Sequence, residues 1–261
     1  MTSPQPVLPQ AAPVEDAALE VRDIEKSFGA VRALNGVSFG VRAGEVMGLI
    51  GDNGAGKSTL INCLAGIIAP DAGQILLEGE EVSISSPLEA RQLGIETVHQ
   101  DLALIDTLDV SGNLFLNREI LSGPRALRWM NKRRMHREAK EILEGLRISI
   151  PSVRNAVEKL SGGQRQAVAV GRSVAWGRRI VLMDEPAAAL GVEQARLVLE
   201  LITTLRDQGL VVVLISHNIQ AVLDVCSRAV VLRHGEAVAD LELEGVTRRD
   251  LVQLITTGEM G

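Results

Sequence analysis

The segment Val46-Met47-Gly48-Leu49-Ile50-Gly51-Asp52-Asn53-Gly54-Ala55-Gly56-Lys57-Ser58-Thr59 decides the fold. Its second part fits G-x-x-x-x-G-K-[ST], and it follows a short apolar run typical of a strand. Glycines let the backbone turn tightly and present N–H groups to phosphate oxygens, and the following helix directs its positive end at the same oxygens. The segment therefore predicts a phosphate-binding loop in which Lys57 reaches the β- and γ-phosphates of a nucleotide and Ser58 ligates Mg²⁺.

A second apolar run, residues 180–183, ends in an acidic pair. Such a run is expected of a strand buried on both faces, and open α/β sheets place their ligand sites at the carboxyl ends of their strands. We expect Asp184 to hold Mg²⁺ through water and Glu185 to act as general base on the attacking water, or to orient it. For the pair taken alone, a solvated turn before Pro186 is the alternative.

Two further polar residues end predicted strands. His217 follows the strand at 210–215, where we expect it to contact the γ-phosphate or the hydrolytic water. Gln100 follows the segment 94–99, where a neutral amide can contact the metal or the water without adding charge. A structural histidine and a turn glutamine are the alternatives.

The segment Leu160-Ser161-Gly162-Gly163-Gln164-Arg165-Gln166 precedes a predicted helix. Ser161 and Gln164 form an S-x-x-Q capping box, which explains both residues. It does not explain Gly162 and Gly163, because glycine destabilises a helix relative to alanine. Two glycines are expected where another group approaches the backbone closely, and a helix N-terminus without side chains is a second phosphate site.

These motifs closely resemble those of the ATP-binding-cassette (ABC) family, whose LSGGQ signature stands here at 160–164. The resemblance covers about residues 19–240, with GDNGAGKST, Gln100, LSGGQ, VLMDEP and His217 in the order of the family. It implies an α/β fold: a P-loop NTPase core with a mostly parallel sheet, an N-terminal antiparallel β subdomain and an inserted α-helical subdomain. It also implies that two cassettes dimerise head to tail, with ATP between the phosphate loop of one and the signature of the other.

ATP and Mg²⁺ are the cofactors that the resemblance implies. The family has an aromatic residue that stacks on adenine; Phe28 is the matching position, and a core phenylalanine is the alternative. The residues expected to contact nucleotide are Phe28, Gly51, Asp52, Asn53, Gly54, Ala55, Gly56, Lys57, Ser58, Thr59, Ser161, Gly162, Gly163 and Gln164. Ser58, Gln100 and Asp184 are the expected metal ligands, and Glu185, His217 and Gln100 the expected catalytic residues.

Two positions depart from the family pattern. A threonine or serine usually follows the Asp-Glu-Pro, where this chain has Ala187. An aspartate usually ends the next loop, where Ala188, Ala189 and Leu190 are followed by Gly191. In the family, that aspartate helps to couple the two ATP sites across the dimer. Its absence therefore affects the expected coupling between the sites but not the expected hydrolysis, since Asp184 and Glu185 are both present.

Composition and periodicity divide the chain into four parts. Residues 1–18, which include four prolines, are expected to form a disordered tail. Residues 19–101 and 159–240 form the predicted core, with strands at 19–24, 37–41, 46–50 and 74–78. In its second half, helices at 162–175, 193–207 and 218–225 alternate with strands at 179–183, 210–215 and 228–232, which indicates a mostly parallel sheet. Residues 102–158 form a predicted helical insert with a helix at 130–146, and 241–261 a C-terminal helical segment.

The composition narrows the class of protein. A formal net charge of −6 over 261 residues argues against a nucleic-acid binder. Cys63 and Cys226 fit neither a metal site nor a disulfide framework, so we expect two buried thiols in a reducing compartment. No apolar run approaches the roughly 20 residues of a membrane-spanning helix, and the N-terminus does not resemble a signal peptide. We expect a cytoplasmic chain, peripheral to the cytoplasmic face of the inner membrane.

Separate cassette chains resemble bacterial importers, and residues 185–192 and 215–218 look like those of monosaccharide importers of the ribose, xylose and fructose type. This resemblance implies an ATPase whose partners are a transmembrane permease, a second copy of itself and, indirectly, a periplasmic sugar-binding protein, but no nucleic acid. We expect the groove beside Gln100 and the insert to receive a coupling helix of the permease. The alternatives are an importer ATPase for a non-sugar substrate, a soluble ABC ATPase of translation or DNA repair, and a nucleotide-binding regulator that does not hydrolyse.

A basic segment lies within the predicted insert. Residues 118–140 carry eight lysines and arginines against Glu119 and Glu138. A solvated helix face is one interpretation of this charge, and weak attraction to anionic lipid is the other.

Overall fold

The computed structural model describes residues 16–98, 104–124, 128–175, 179–188 and 190–259. Some of the predictions concern residues outside these ranges, namely most of the N-terminal tail, Gln100, Arg125 of the basic segment and Ala189.

The chain alternates strands and helices in the order that the sequence indicates. The described strands are β1 (Ala17–Phe28), β2 (Val31–Arg42), β3 (Val46–Gly51), β4 (Ala72–Leu77), β5 (Glu80–Val82), β6 (Ile95–Val98), β7 (Leu121–Ser122), β8 (Trp129–Met130), β9 (Ile180–Asp184), β10 (Val211–Ile215), β11 (Arg228–Arg233) and β12 (Glu236–Glu242). The described helices are α1 (Lys57–Leu64), α2 (Pro87–Gln92), α3 (Val110–Leu114), α4 (Lys132–Gly145), α5 (Gly162–Val174), α6 (Val192–Asp207), α7 (Ile219–Val225) and α8 (Arg248–Thr257).

A six-stranded sheet in the order β12-β11-β3-β10-β9-β6 forms the centre of the fold. All its neighbouring strands are parallel except β11 and β12, which are antiparallel. Alternate residues of each strand face opposite sides of the sheet, so that Val212 and Leu214 pack with the later helices and Val213 and Ile215 with α1, β1 and β2. This double burial explains why the central strands are continuous apolar runs.

The N-terminal residues form a second, antiparallel sheet in the order β2-β1-β4-β5. β1 and β2 each extend over 12 residues, about twice the length of the segments that the sequence indicated. The predicted fold class is confirmed: a P-loop core with a mostly parallel sheet, an antiparallel β subdomain and a helical insert.

The insert is less uniformly helical than its sequence indicated. Between α3 and α4, the two-residue strands β7 and β8 pair in an antiparallel hairpin. α4 begins at Lys132 rather than at Met130, because the Asn131 side chain caps the helix by accepting a hydrogen bond from the Arg134 amide at 3.0 Å. The insert is therefore helical with a short hairpin between its helices, which the sequence did not indicate.

The C-terminal half of the basic segment of the insert lies on α4. Along α4, ion pairs at helical spacing join Arg134 to Glu138 (2.6 Å), Arg137 to Glu141 (3.9 Å) and Lys140 to Glu144 (3.4 Å). This half of the segment is a solvated, ion-paired helix face, as one of the two interpretations held.

Asp109 joins the two helices of the insert. Its carboxylate caps α3 by accepting hydrogen bonds from the Gly112 amide (2.6 Å) and the Ser111 hydroxyl (2.9 Å), and it lies 3.4 Å from Nε2 of His136 on α4. Burial acts to raise the pKa of Asp109, but the three hydrogen-bonding partners outweigh it and lower that pKa.

Arg228, at the start of β11, carries a buried charge. Its guanidinium donates to Glu45 (2.8 Å), to Asp240 and to the Gly40 carbonyl, so it ties the β11–β12 pair to the distant end of β2 and the turn before β3. Only 6% of the Arg228 side chain is exposed, so these acceptors replace its water.

Both cysteines are buried and unpaired. Burial raises the pKa of Cys63 to about 11 and that of Cys226 to about 12, so neither thiol ionises at neutral pH. Within the described ranges, no helix is long and apolar enough to cross a lipid bilayer.

Candidate functional site

The loop between β3 and α1 depends on glycine at two positions where the backbone packs closely. Gly51 has φ 149°, and a Cβ there would lie 2.1 Å from the Leu232 carbonyl oxygen of β11. Gly56 has φ 106°, and a Cβ there would lie 2.6 Å from the Ala33 carbonyl oxygen of β2. Because any side chain would displace these backbones, the two glycines fix the loop against both sheets.

The N-terminus of α1 is open toward this loop. Gly56 is its N-cap residue and provides no side-chain acceptor, and the first turn holds no acidic residue. Helix N–H groups without partners attract anions. The backbone at Gly56, Lys57 and Ser58 is therefore suited to bind phosphate oxygens.

Lys57 crosses the loop. Its Nζ donates hydrogen bonds to the carbonyl oxygens of Gly51 (2.7 Å) and Asp52 (2.8 Å). Burial lowers the pKa of Lys57, whereas the carboxylates of Glu185, Asp184 and Asp52 act in the opposite direction. A cation is thus held beside the open end of α1.

β9 delivers its acidic pair to the same place. Oδ2 of Asp184 lies 3.4 Å from Oγ of Ser58, so the end of β9 and the start of α1 present two oxygen atoms side by side. The structure thereby brings together two of the three predicted metal ligands.

Glu185 is held in a strained backbone conformation. Its φ is 51°, which is uncommon for a residue with a side chain, and its amide donates to the Ile215 carbonyl of β10 at 3.0 Å. Such conformations persist where the surroundings fix them, as active sites often do. The turn directs the Glu185 carboxylate toward the end of β10.

Glu185 and His217 are in direct contact there. The Glu185 carboxylate accepts a hydrogen bond from the His217 amide at 2.7 Å, and Nε2 of the His217 ring lies 3.4 Å from the same oxygen. Burial raises the pKa of Glu185; His217 opposes this shift, and the neighbouring Asp184 adds to it. A carboxylate with a raised pKa, beside an exposed imidazole, is suited to accept a proton.

The segment 160–164 has the capping box that its sequence indicated. The Ser161 hydroxyl accepts a hydrogen bond from the Gln164 amide (3.2 Å), and the Gln164 side-chain oxygen accepts one from the Ser161 amide (3.1 Å). Among the described residues, no hydrogen bond or ion pair joins this segment to the phosphate loop of the same chain.

The two glycines of this segment have different surroundings. A Cβ at Gly163 would lie 2.9 Å from Cβ and 3.0 Å from Cα of Gln194 on α6. A Cβ at Gly162 would instead meet the side-chain oxygen of Gln194 first, at 3.0 Å. Packing against α6 thus requires glycine at 163 within a single copy. Residue spacing does not reveal this contact with Gln194; the approach of a ligand to the two glycines stays a prediction.

Phe28 lies at the end of β1 and is 51% exposed, which excludes the core interpretation. Nζ of Lys26 lies 5.8 Å from the centre of the Phe28 ring and pairs with the Asp71 carboxylate at 2.7 Å. Asp71 also accepts a hydrogen bond from the Ser27 amide at 2.7 Å. Phe28, Lys26 and Asp71 thus form an exposed aromatic ring with an ion-paired cation beside it. The sequence did not reveal this arrangement, because no motif links Lys26 to Asp71.

Two clefts border the site. One, of about 270 Å³, lies between the phosphate loop, His217 and the α8 residues Val252, Ile255 and Thr256. The other, of about 690 Å³, runs from Glu185 and His217 over the small and apolar residues of the following loop and α6. Sequence reasoning missed the α8 residues, since that helix carries no phosphate-binding pattern.

The departure at Gly191, in the loop after Glu185, leaves open space. Gly191 caps α6 without a side-chain hydrogen bond, and no atom lies within 4 Å of where its Cβ would be. The next residue, Val192, is 87% exposed. The loop thus presents an apolar surface beside Glu185.

Comparison with known proteins shows relatives that are similar in sequence over most of this chain. A sequence profile of the ABC transporter family matches residues 34–188. The chain is 47% identical, over 93% of its length and 95% of the relative's, to the xylose/arabinose import ATP-binding protein of Sulfolobus acidocaldarius. It is 43% identical, with the same coverage, to the fructose import ATP-binding protein of Rhizobium meliloti. A ribose import ATP-binding protein of Streptomyces coelicolor is 41% identical, and the match spans 46% of that longer protein.

Solved structures agree with the sequence comparison. A nucleotide-free ATP-binding cassette from an ABC transporter matches with a TM-score of 0.80 and 28% identity, covering 94% of this chain and 99% of that one. The ADP conformation of an ATP-binding cassette of an ABC transporter matches with a TM-score of 0.75 and 26% identity, covering 92% and 95%. The chain therefore belongs to the ABC transporter family.

Proposed function

We propose that this chain is the ATP-binding and ATP-hydrolysing subunit of an ABC importer, that its cargo is a monosaccharide, and that it energises a separate membrane permease. The observation that carries the proposal is the convergence of Lys57, Ser58, Asp184, Glu185 and His217 at the carboxyl ends of β3, β9 and β10. Parallel sheets place ligands at this edge.

The residues divide the work of phosphoryl transfer. The α1 amides and Lys57 bind the β- and γ-phosphates and stabilise the charge that develops on them. Glu185 accepts a proton from the attacking water or orients it, and His217 holds the Glu185 carboxylate and contacts the γ-phosphate side of the site. Phe28 supports the adenine ring by stacking.

The oxygen atoms of Ser58 and Asp184 suit a magnesium ion. Mg²⁺ prefers oxygen ligands and is commonly bound by one or two carboxylates together with substrate phosphates. The described residues hold no cluster of three or more acidic, histidine or cysteine side chains that would form a protein-only metal cage. When bound, the ion would neutralise charge on the phosphates; Gln100, outside the described residues, remains a proposed third ligand.

A second copy of the chain is the proposed partner at the ATP site. The Ser161 amide is used by the capping box, and Gly162 and Gly163 follow it in the first turn of α5. Among the described residues, none of the three makes a hydrogen bond to its own phosphate loop. The exposed Val192 and the apolar cleft beside Glu185 are surfaces that a second copy can cover. In this arrangement the signature of one copy binds the γ-phosphate held by the other, and hydrolysis removes the bridge between them.

The relatives support the transport role and the cargo. Two of them are named as import ATP-binding proteins for xylose/arabinose and for fructose, and each is matched over nearly its whole length. In the proposed importer, a transmembrane permease and, through it, a periplasmic sugar-binding protein are the partners, and this chain would lie at the cytoplasmic face of the inner membrane.

Phosphate release from ATP by the purified chain tests the catalytic part of the proposal. Glu185→Gln should bind ATP, form a stable dimer and lose turnover, because the amide cannot accept the proton. Glu193→Gln, the same chemical change on an exposed residue eight positions away, is the matched control and should keep wild-type turnover. Equal phosphate release by the Glu185→Gln variant and the wild type would show that Glu185 does not take part in ATP hydrolysis.

A further inference from the structure

The hairpin end of the insert combines exposed apolar side chains with cations. Leu121 and Met130 pair across the hairpin and share one of its faces, whereas Trp129 pairs with Ser122 and lies on the other face. Leu121, Trp129 and Met130 of the β7–β8 hairpin are 49%, 57% and 44% exposed. Arg128 precedes Trp129, and Lys132 and Arg133 begin α4 directly after it; all three are exposed. We call these six residues the hairpin patch.

The cations of the hairpin patch differ from the other cations of the same segment. Arg134, Arg137 and Lys140, further along α4, each pair with a glutamate one turn away. Arg128, Lys132 and Arg133 form no ion pair with a carboxylate of the described residues. Among residues 128–140, all of which the structure describes, the cations without an ion pair thus lie at the hairpin end.

Lys132 and Arg133 also occupy an unfavourable place in their helix. They lie in the first turn of α4, which contains no acidic residue, where the partial positive charge of the helix repels cations. Residues that are unfavourable in their own secondary structure, and that no other part of the fold stabilises, are expected at functional surfaces. A negatively charged partner would supply the missing compensation.

The chemistry of the hairpin patch favours a lipid surface over a protein. Tryptophan is enriched at the membrane interface, where unpaired lysines and arginines bind anionic headgroups. The cytoplasmic loops of membrane proteins carry an excess of lysine and arginine, so a permease surface of ordinary composition would repel these cations. Because the whole chain has a net charge of −6, general attraction to an anionic bilayer is excluded and only a local patch can bind.

We propose that the hairpin patch binds the anionic lipid surface of the membrane directly and enters it edge-on, so that Leu121 and Met130 on one face and Trp129 on the other lie in the headgroup region and the three cations contact lipid phosphates. This contact is additional to ATP hydrolysis and to the docking of the chain on its permease. It would hold the cassette at the bilayer in the absence of the permease.

Sedimentation of the purified full chain with vesicles tests the proposal. We expect binding to phosphatidylcholine vesicles that contain phosphatidylglycerol and no binding to phosphatidylcholine alone. Each cation near an anionic surface contributes about 1 kcal/mol, so the double variant Lys132→Gln/Arg133→Gln should partition about 30-fold less. The matched control Arg137→Gln/Lys140→Gln makes the same charge change on the ion-paired face of α4 and should reduce partitioning by less than about threefold.

A second measurement reports the apolar part of the contact. Trp129→Ser should weaken vesicle binding. In a Trp176→Phe background, where Trp129 is the single tryptophan of the chain, the fluorescence should shift to shorter wavelength only with anionic vesicles. ATP hydrolysis in the same samples separates this proposal from the proposed function, since neither pair of substitutions touches the ATP site. No binding to anionic vesicles, or equal losses in the two double variants, would overturn the proposal; binding to isolated permease but not to vesicles would assign the patch to a protein partner instead.

Discussion

Alanine substitutions at the two signature glycines should separate packing from ligand binding. At Gly163 the added Cβ would lie within 3.1 Å of three atoms of Gln194, two of them backbone, which cannot move without shifting α6. At Gly162 it would lie 3.0 Å from the Gln194 side-chain oxygen and 3.3 Å from a Leu190 methyl group, both of which can rotate away. Gly163→Ala should therefore destabilise the fold, whereas Gly162→Ala should not.

The magnitudes follow from two opposing effects. Overpacking against a fixed neighbour costs about 1–3 kcal/mol, and replacing glycine in a helix by alanine returns at most about 1 kcal/mol. Gly163→Ala should thus lose about 1–2 kcal/mol of unfolding free energy, which in a chain of this size lowers Tm by roughly 2–8 °C. Gly162→Ala should leave Tm unchanged or raise it slightly.

Thermal unfolding and phosphate release, measured on the same samples, check this prediction. Despite its intact fold, Gly162→Ala should lose turnover, because its methyl group stands where the partner's γ-phosphate must approach. Wild-type turnover in Gly162→Ala would refute the proposed role of this backbone, and a Gly163→Ala variant as stable as the wild type would refute the packing argument.

Three further changes test individual parts of the molecule. Lys26→Met should raise KM for ATP about two- to fivefold with kcat unchanged, because it removes the cation beside the Phe28 ring; a parallel fall in kcat in steady-state assays would contradict this. The lowered pKa of Asp109 stabilises the fold above about pH 4 and this contribution is lost as the pH falls further. Asp109→Asn keeps a capping acceptor but loses that contribution. The difference in unfolding free energy between this variant and the wild type, measured in urea, should therefore become smaller at acid pH. A difference that is constant with pH would argue against this role of Asp109. Arg228→Met should cost about 3–5 kcal/mol of unfolding free energy in the same assay, since it leaves the buried Glu45 and the partly buried Asp240 without their guanidinium partner. A loss below about 1 kcal/mol would show that these carboxylates are satisfied without it.

The central strands and the phosphate loop could be predicted because their sequence signals are local. β9 and β10 are apolar at nearly every position, which is typical of strands buried on both faces. Gly51 and Gly56 have positive φ values and close backbone neighbours, so the motif reflects backbone requirements within a few residues. The placement of Asp184 and Glu185 followed directly, since polar residues that end parallel strands meet at one edge of the sheet.

The features that sequence did not reveal depend on contacts between distant residues or on very short elements. β7 and β8 have two residues each, too few to show a period. β12 is partly buried at most positions as an edge strand, and its sequence lacks a clear alternation. The contacts of Lys26 with Asp71 and of Gly163 with Gln194 join separate elements, and one sequence alone does not specify them.

Disulfide cross-linking between two copies tests most directly whether ATP lies between them. Asn53 in the phosphate loop and Ser161 in the signature are both exposed, and the native thiols are buried, so engineered cysteines would react without interference. Copies carrying Asn53→Cys, mixed with copies carrying Ser161→Cys, both in the Glu185→Gln background, should cross-link with Mg-ATP and not with ADP. Cross-linking that is absent with Mg-ATP, or equal with both nucleotides, would contradict the account.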